Sequence, residues 1–479
     1  MSEPTASERL GARFADLSVP ARWLVALGSL GMLWAVAAVA LPEGAPPGRV
    51  FSGAVFGAAT ALTAMGLILV YRANRIINFA AAAMGAVTGM IAIRFYLIWG
   101  WNYGLALLLG VVSGAIVGAL VEVLVIRRFR NASRLILTVA TIGLAQLLGG
   151  LELLLPGWVF GDESAVTLGG YQTPLDDFSF TIGVDVINGN HLLILAVVPM
   201  VVGLMVWFLR RSLAGTAVRA SAENPDRVRL LGIPVRRLQS LVWSAAGALA
   251  TLTLILQAPF SGTPPTAALG PAVLISALAA AVIARMESLP VACAAAIVLG
   301  SVDQVVRWNT TTPALTEVVL LGIILAALLL RRSGDSRAAD GASAWQDTGA
   351  ATPLDPQLRA LPAVRVARAV GGVLLVGAVV LIPLVLSETD LFTLSVAGIW
   401  AIVAVSLVVL TGWNGQISLG QFAFVGVGAM VAGNLMSRWN VDFFIAMAAA
   451  AAAAALVALL LGIPALRIQG PFLAVVTLS

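Results

Sequence analysis

Cys293 and His191 are the only cysteine and histidine in this 479-residue chain, and all 28 of its basic residues are arginine. One His and one Cys cannot build a His/Cys zinc site, a haem ligand pair or a disulfide. Without lysine there is no G-x-x-x-x-G-K-[ST] loop, whose lysine contacts the β and γ phosphates of a nucleotide. The chain therefore carries no Walker-type ATPase site, and no metal or cofactor of its own is expected. What remains for chemistry is a set of amides and hydroxyls inside apolar sequence, where each polar group is costly. Asn78, Thr138, Thr141 and Gln146 lie in the N-terminal part, and Asn414, Gln416, Ser418 and Gln421 in the C-terminal part. Asn78, Asn414, Gln416, Ser418 and Gln421 are candidates to line a path for a small polar solute, because they stay neutral at any pH. For Thr138 and Thr141, hydrogen bonding between helices is the simpler role. Glu122 lies within reach of Arg127 or the interface, and Glu152 lies near the outer end of a span, so neither suggests a proton relay. His191 reads as an interfacial residue and Cys293 as small packing volume.

The elements that must hold these groups follow from composition. Apolar residues make up 60% and charged residues 11% of the chain, against about 25% charged in a soluble domain. A surface so poor in charge must face lipid. Runs of roughly 20 apolar residues, the length of a spanning helix, occur at Trp23 to Leu41, Val50 to Tyr71, Ile76 to Ile93, Tyr103 to Ile126, Leu135 to Leu155, His191 to Leu209, Ser240 to Leu256 and Pro313 to Leu330. A broken pair, Pro271 to Ala284 and Leu289 to Gly300, reads as two short or partly re-entrant helices. Four more runs follow at Ala369 to Leu386, Leu391 to Leu410, Ser418 to Met436 and Asp442 to Ile463. The expected fold is an all-α, polytopic transmembrane bundle of roughly 13 to 14 segments.

Arginine clusters at 9–22, 72–75, 127–134, 210–237 and 331–332 fall on one side if each run crosses once. The positive-inside rule makes that side cytoplasmic, with the N-terminus there too, and assigns the basic charge to topology beside anionic lipid rather than to nucleic acid. The arginine-free, acidic connection from Pro156 to Asn190 then lies outside. Between 331 and 368 the chain turns polar and proline-rich, as a linker does. The organisation is a cytoplasmic segment over 1–22, a first block over 23–330, a linker over 331–368 and a second block over 369–479. Ile77-Asn78-Phe79-Ala80 and Ile417-Ser418-Leu419-Gly420 form a faint echo between the blocks, each opening a small-residue helix. Gly53/Gly57, Gly85/Gly89 and Gly110/Gly114/Gly118 have the spacing that lets helices approach closely in lipid.

The stretch from Arg210 to Gln239 holds seven arginines against Glu223 and Asp226, and ordinary cytoplasmic turns are shorter. A short helix is predicted over Thr216 to Ala222, a break at Asn224-Pro225, a second short helix through Leu231, and a stop at Gly232. Apolar Val218, Val228, Leu230 and Leu231 within this charged pair suit docking into a groove on a partner.

Four motifs resemble one transporter family. GLILVYRANRIINFAAAAMGA (Gly66 to Ala86) and GTAVRASAENPDRVRLLGIPVRRLQ (Gly215 to Gln239) resemble the first permease subunit of branched-chain amino acid ABC transporters, the latter being similar to its coupling loop. LTGWNGQISLGQFAFVGVGA (Leu410 to Ala429) and GIPALRIQGPFLAVVTLS (Gly462 to Ser479) resemble the second permease subunit. Ala81-Ala82 stands where that family commonly has His-Gly. The resemblance implies a fused permease pair, its second half incomplete at Ser479, as in a truncated chain or a fragment. It further implies two separate cytoplasmic ATPase subunits that use ATP, and an extracytoplasmic solute-binding protein. On that basis Arg219, Glu223, Asn224, Pro225, Arg227 and Gly232 are expected to couple the chain to the ATPases. Urea or short amides are alternative solutes, and an ATP-independent transporter or channel the alternative mechanism.

Overall fold

A computed structural model describes residues 34–129, 134–161, 171–223, 225–260, 269–310, 312–329, 361–413 and 420–465, with isolated positions at 28, 31, 32 and 132. The chain forms two compact units, residues 1–127 with 141–324 and residues 128–140 with 325–479. Among the described residues, nine helices are long and apolar enough to cross a membrane. Residues 34–40, within the expected span from Trp23 to Leu41, are helical.

The first stretch of chain contains α1 (Pro47–Asn74), α2 (Ala81–Leu97), α3 (Tyr103–Leu124) and α4 (Arg134–Phe160). A hairpin of β1 (Ser179–Ile182) and β2 (Asp185–Asn188) comes next, pairing Phe180 with Ile187 and Thr181 with Val186. Then come α5 (Gly189–Arg211), α6 (Leu213–Glu223), α7 (Pro225–Leu230), α8 (Val235–Gln257), α9 (Leu269–Ile283), α10 (Leu289–Asn309) and α11 (Pro313–Leu329). Local signals set several boundaries. Pro47 begins α1, Asn102 accepts from the Gly104 amide at 2.9 Å to cap α3, and Ser288 caps α10 ahead of Pro290.

In the first unit, α1 and α8 form the centre: 89% and 78% of their most apolar windows are buried, against 17% for α5. Close approach between backbones makes this possible. A Cβ on Gly53 or Gly57 would collide with the backbone of α10 at Gly300 and Ala296, and one on Gly118 would collide with the Trp243 carbonyl of α8. Hydroxyls then tie the helices together where lipid gives no hydrophobic drive. Thr63 donates to Thr253 at 2.9 Å, Thr253 donates to the Ala59 carbonyl at 3.0 Å, and Thr88 and Thr251 share a 2.7 Å bond. Gln257 Nε2 reaches the Phe56 carbonyl at 3.2 Å and Thr60 Oγ1 at 3.0 Å.

Two expectations are corrected by the structure. The run Ile76 to Ile93 is not one helix, because residues 75–80 are non-helical and α2 starts only at Ala81. The broken pair is a shorter helix followed by a full-length one of 21 residues, α10, joined through Arg285 and Met286 at φ 57° and 53°. The all-α expectation holds: among the described residues the one hairpin, two four-residue strands turned at Gly183 with φ 62°, is a local feature of a connection between helices.

The second unit contains α12 (Pro362–Val385), α13 (Glu388–Leu407) running into a π-helical turn at Val408–Trp413, α14 (Gln421–Trp439) and α15 (Phe443–Ala465). Asn440, left-handed at φ 49°, ends α14, and Trp400 packs on Phe422 with ring centroids 4.6 Å apart. Most apolar side chains of α12 and α15, including Val373, Leu384 and Phe444, are exposed. Such faces require lipid or further helices to cover them.

Candidate functional site

The arginine-rich connection folds as its punctuation predicts, into α6 and α7. Ser212 sets the corner after α5: its hydroxyl donates to the Phe208 carbonyl at 2.7 Å and accepts from the Gly215 amide at 2.8 Å. Gly215 lies so close to the Phe208 carbonyl that no Cβ would fit there. At the far end Gly232, at φ 76°, brings its amide to the Arg229 carbonyl at 3.0 Å. Pro225 opens α7, and Asn224 lies outside the described residues. Arg219, Glu223, Arg227 and Gly232 are all exposed. Of the four apolar residues expected to dock, Val218 and Val228 turn inward instead, at 5% and 3% exposure. Leu230 and Leu231 stay outside at 88% and 76%, joined by Leu213 at 92%.

This helix pair touches the break between α1 and α2. α1 ends on Arg75 in a left-handed conformation, and Arg75 Nη2 donates to the Ala222 carbonyl of α6 at 3.4 Å. The linking residues Ile76 to Ala80 are buried, although they lack helical backbone bonds. Buried backbone groups of that kind need side-chain partners, and Thr141 supplies them. Its hydroxyl accepts from the Phe79 amide at 3.2 Å and donates to the Ile77 carbonyl at 3.3 Å. Asn78, fully buried, accepts from the Ala80 amide through Oδ1 at 3.0 Å. Asn78 therefore belongs to a break adjoining α6, not to the middle of a span. Thr138 is also fully buried, whereas Gln146 is exposed.

A second tie holds the start of α8, the helix that leaves the loop. Glu122, near the end of α3, receives Arg127 Nη2 at 2.7 Å and the Ser240 hydroxyl at 2.6 Å, and Arg127 also reaches Ser240 at 2.9 Å. The sequence anticipates the Arg127 partner. It gives no sign of Ser240, which lies 118 positions from Glu122.

In the second unit Asn414, Gln416 and Ser418 lie outside the described residues, and Gln421, half-buried, is the first residue of α14. Of the second-block echo, Ile417, Ser418 and Leu419 lie outside the described residues, and only the two helix starts can be compared. α2 starts directly after Ala80 at φ −84°, ψ 0°, and α14 directly after Gly420 at φ −91°, ψ 13°.

At the opposite end of the first unit, His191 Nδ1 accepts from the Asn188 amide at 3.2 Å, and its ring stands on Phe260. It serves as a capping and packing residue. Asp176 receives the Thr173 amide at 2.7 Å and the side-chain amides of Asn188 and Asn190. Arg49 pairs with Asp185 at 3.1 Å and lies over the Trp308 ring, fastening the hairpin to the start of α1. Burial pushes the Tyr171 phenol well above its ordinary range, so it remains neutral. Glu152 is buried at 2% exposure, and the Cys293 thiol contacts Met65 Sδ at 3.6 Å. Among the described residues, no group of three or more His, Cys, Asp or Glu is placed to hold a metal.

Comparison with known proteins gives the family of the chain. BraD, a permease protein of the high-affinity branched-chain amino acid transport system of Pseudomonas aeruginosa, is 27% identical over 307 residues, covering 60% of this chain and 94% of BraD. LivH of Escherichia coli K12, from the corresponding system, is 26% identical with the same coverage. A probable LivH of Methanocaldococcus jannaschii is 25% identical over 275 residues, 56% of this chain and 84% of that protein. The family described as branched-chain amino acid transport system, permease component, matches residues 49–328 and 391–479. This chain, a multi-pass membrane protein, belongs to that permease family.

Proposed function

We propose that the chain is the membrane permease of an ATP-binding-cassette importer for branched-chain or related amino acids, acting in the cytoplasmic membrane with its N-terminus inside. Two cytoplasmic ATPase subunits supply the energy and use the ATP, and an extracytoplasmic binding protein supplies the solute. The observation that carries this reading is the α6–α7 pair. It exposes three leucines, Leu213, Leu230 and Leu231, beside the charged Arg219, Glu223 and Arg227. Apolar anchors ringed by charge are what a docked protein covers.

In this mechanism, ATP-driven closure of the ATPases displaces α6 and α7 as one lever. Arg75 passes the displacement to the α1–α2 break, and the Glu122–Arg127–Ser240 cluster passes it to α3. The helices then tilt between outward and inward access. Residues 23–330 act as one permease block and 369–479 as part of a second, joined by the polar linker. Asn78, Asn414, Gln416, Ser418 and Gln421 line the path of the small polar solute.

The test is leucine uptake into proteoliposomes that contain the chain, its ATPase subunits and its binding protein. The double variant Arg219→Glu with Glu223→Arg is expected to insert normally and to lose ATP-dependent uptake. Undiminished uptake by that variant, or uptake that needs no ATPase subunit, refutes the reading.

A further inference from the structure

We propose that the first turn of α2, with Asn78, is the subsite that receives the carboxylate of the transported amino acid on the arginine-rich side of the path. The inference rests on the proposed function for the identity of the solute. The site itself rests on a group of hydrogen-bond donors left without acceptors.

A helix leaves its first amides unpaired within the helix, and these are ordinarily met by a cap or by water. At the start of α2 the Phe79 amide is met by Thr141, the Ala80 amide by Asn78 Oδ1 and the Ala81 amide by the Asn78 carbonyl. Neither the Ala82 nor the Ala83 amide has an acceptor among the described residues. Asn78 adds a third donor to the same turn. Its Oδ1 is committed to the Ala80 amide, which fixes the orientation of the side chain, and its Nδ2 has no partner although the residue is 0% exposed. Water does not reach Asn78 in this conformation, so its donor awaits an acceptor that arrives with opening.

The chemistry selects an anion. All three unmet groups are donors, they sit at the positive end of a 17-residue helix, and Arg75 adds a full positive charge three residues before Asn78. Ala81 and Ala82 are 2% exposed, so these amides, like Asn78, are covered in this conformation and carry only small side chains around them. A carboxylate, with two oxygens, can accept from Asn78 Nδ2 and a backbone amide together. The Arg75 bond to the Ala222 carbonyl joins this turn to α6, so the displacement that moves the lever also uncovers the donors.

The test is hydrogen–deuterium exchange on the purified full chain in nanodiscs, read at Ala82 and Ala83. Leucine and 4-methylpentanoate, which keeps the carboxylate and lacks the ammonium, are expected to slow exchange there several-fold. Leucinamide, which lacks the carboxylate, and inorganic phosphate are expected to leave it unchanged. Asn78→Asp keeps the acceptor for Ala80 and replaces the donor with a negative charge, and it is expected to abolish the protection by both acids. Asn78→Ala, which brings no buried charge, is expected to weaken it. Equal protection by leucinamide or phosphate, no protection by either acid, or unchanged protection in both variants overturns the inference. Protection by carboxylates without leucine uptake in proteoliposomes refutes the proposed function and leaves this site standing.

Discussion

Replacing Glu122 probes the tie that holds the base of α8 to α3. The carboxylate is 1% exposed and receives Arg127 Nη2 at 2.7 Å, Arg127 Nε at 3.2 Å and the Ser240 hydroxyl at 2.6 Å. Removing one partner of a buried ion pair costs about 3–5 kcal/mol, because the other charge is stranded. Here the Arg127 side chain keeps 34% exposure and can turn toward water, which places the expected cost of Glu122→Ala at about 2–3 kcal/mol. Ser240→Ala removes the hydrogen bond to Glu122 and the one from Arg127, both to charged groups, and is expected to cost about 1.5–3 kcal/mol. Because both deletions act on the same cluster, the double variant should be less damaging than the sum, with a coupling of about 1 kcal/mol. Arg307→Ala is the control: it breaks an exposed i,i+4 pair with Asp303 at 2.9 Å and should cost no more than about 0.5 kcal/mol. The assay is reversible SDS titration from mixed micelles, followed by tryptophan fluorescence. A Glu122→Ala cost indistinguishable from that of Arg307→Ala, or strict additivity with Ser240→Ala, would refute the account of this cluster as one interlocked unit.

Other perturbations test the packing and the lever. Gly57→Leu sets a side chain against the Ala296 carbonyl and should destabilise the first unit by at least about 1–3 kcal/mol, whereas Gly322→Leu, with no atom within 4 Å of the added Cβ, should shift the SDS midpoint little. Thr253→Val removes the bond from Thr63 and the one to the Ala59 carbonyl, at an expected cost of about 0.5–1.5 kcal/mol on the same assay. The charge reversal at Arg219 and Glu223 should separate stability from transport: an unchanged SDS midpoint with uptake reduced to background is the expected pair of results.

Much of the local structure was legible in the chain. Pro225 and Gly232 bound α7 because proline suits a first helical turn and glycine adopts the left-handed conformation after the last one without steric cost. The glycines at four-residue spacing predicted close helix contacts, and Gly53 and Gly57 make them. The extension of the break after Asn74 through Ala80 was not legible. Ile76, Ile77 and Phe79 are apolar and read as helix, and Thr141, more than 60 positions away, joins Asn78 in meeting the non-helical backbone there. The fates of Val218 and Leu230 were equally hidden, since hydropathy does not say which side of a short helix finds neighbours.

Scarce charge was enough to make this a membrane protein, because a lipid-facing surface needs none, and absent lysine was enough to exclude a lysine-bearing phosphate loop from this sequence. The motifs from Gly66 and from Gly215 were enough for the family. Tertiary structure alone decided that Arg75 reaches Ala222, that Ser240 joins Glu122, and that the first turn of α2 is buried with unmet donors. Each of these depends on segments remote in sequence being brought within a few ångströms, and pairing of that kind leaves no periodicity or spacing in the chain to be read.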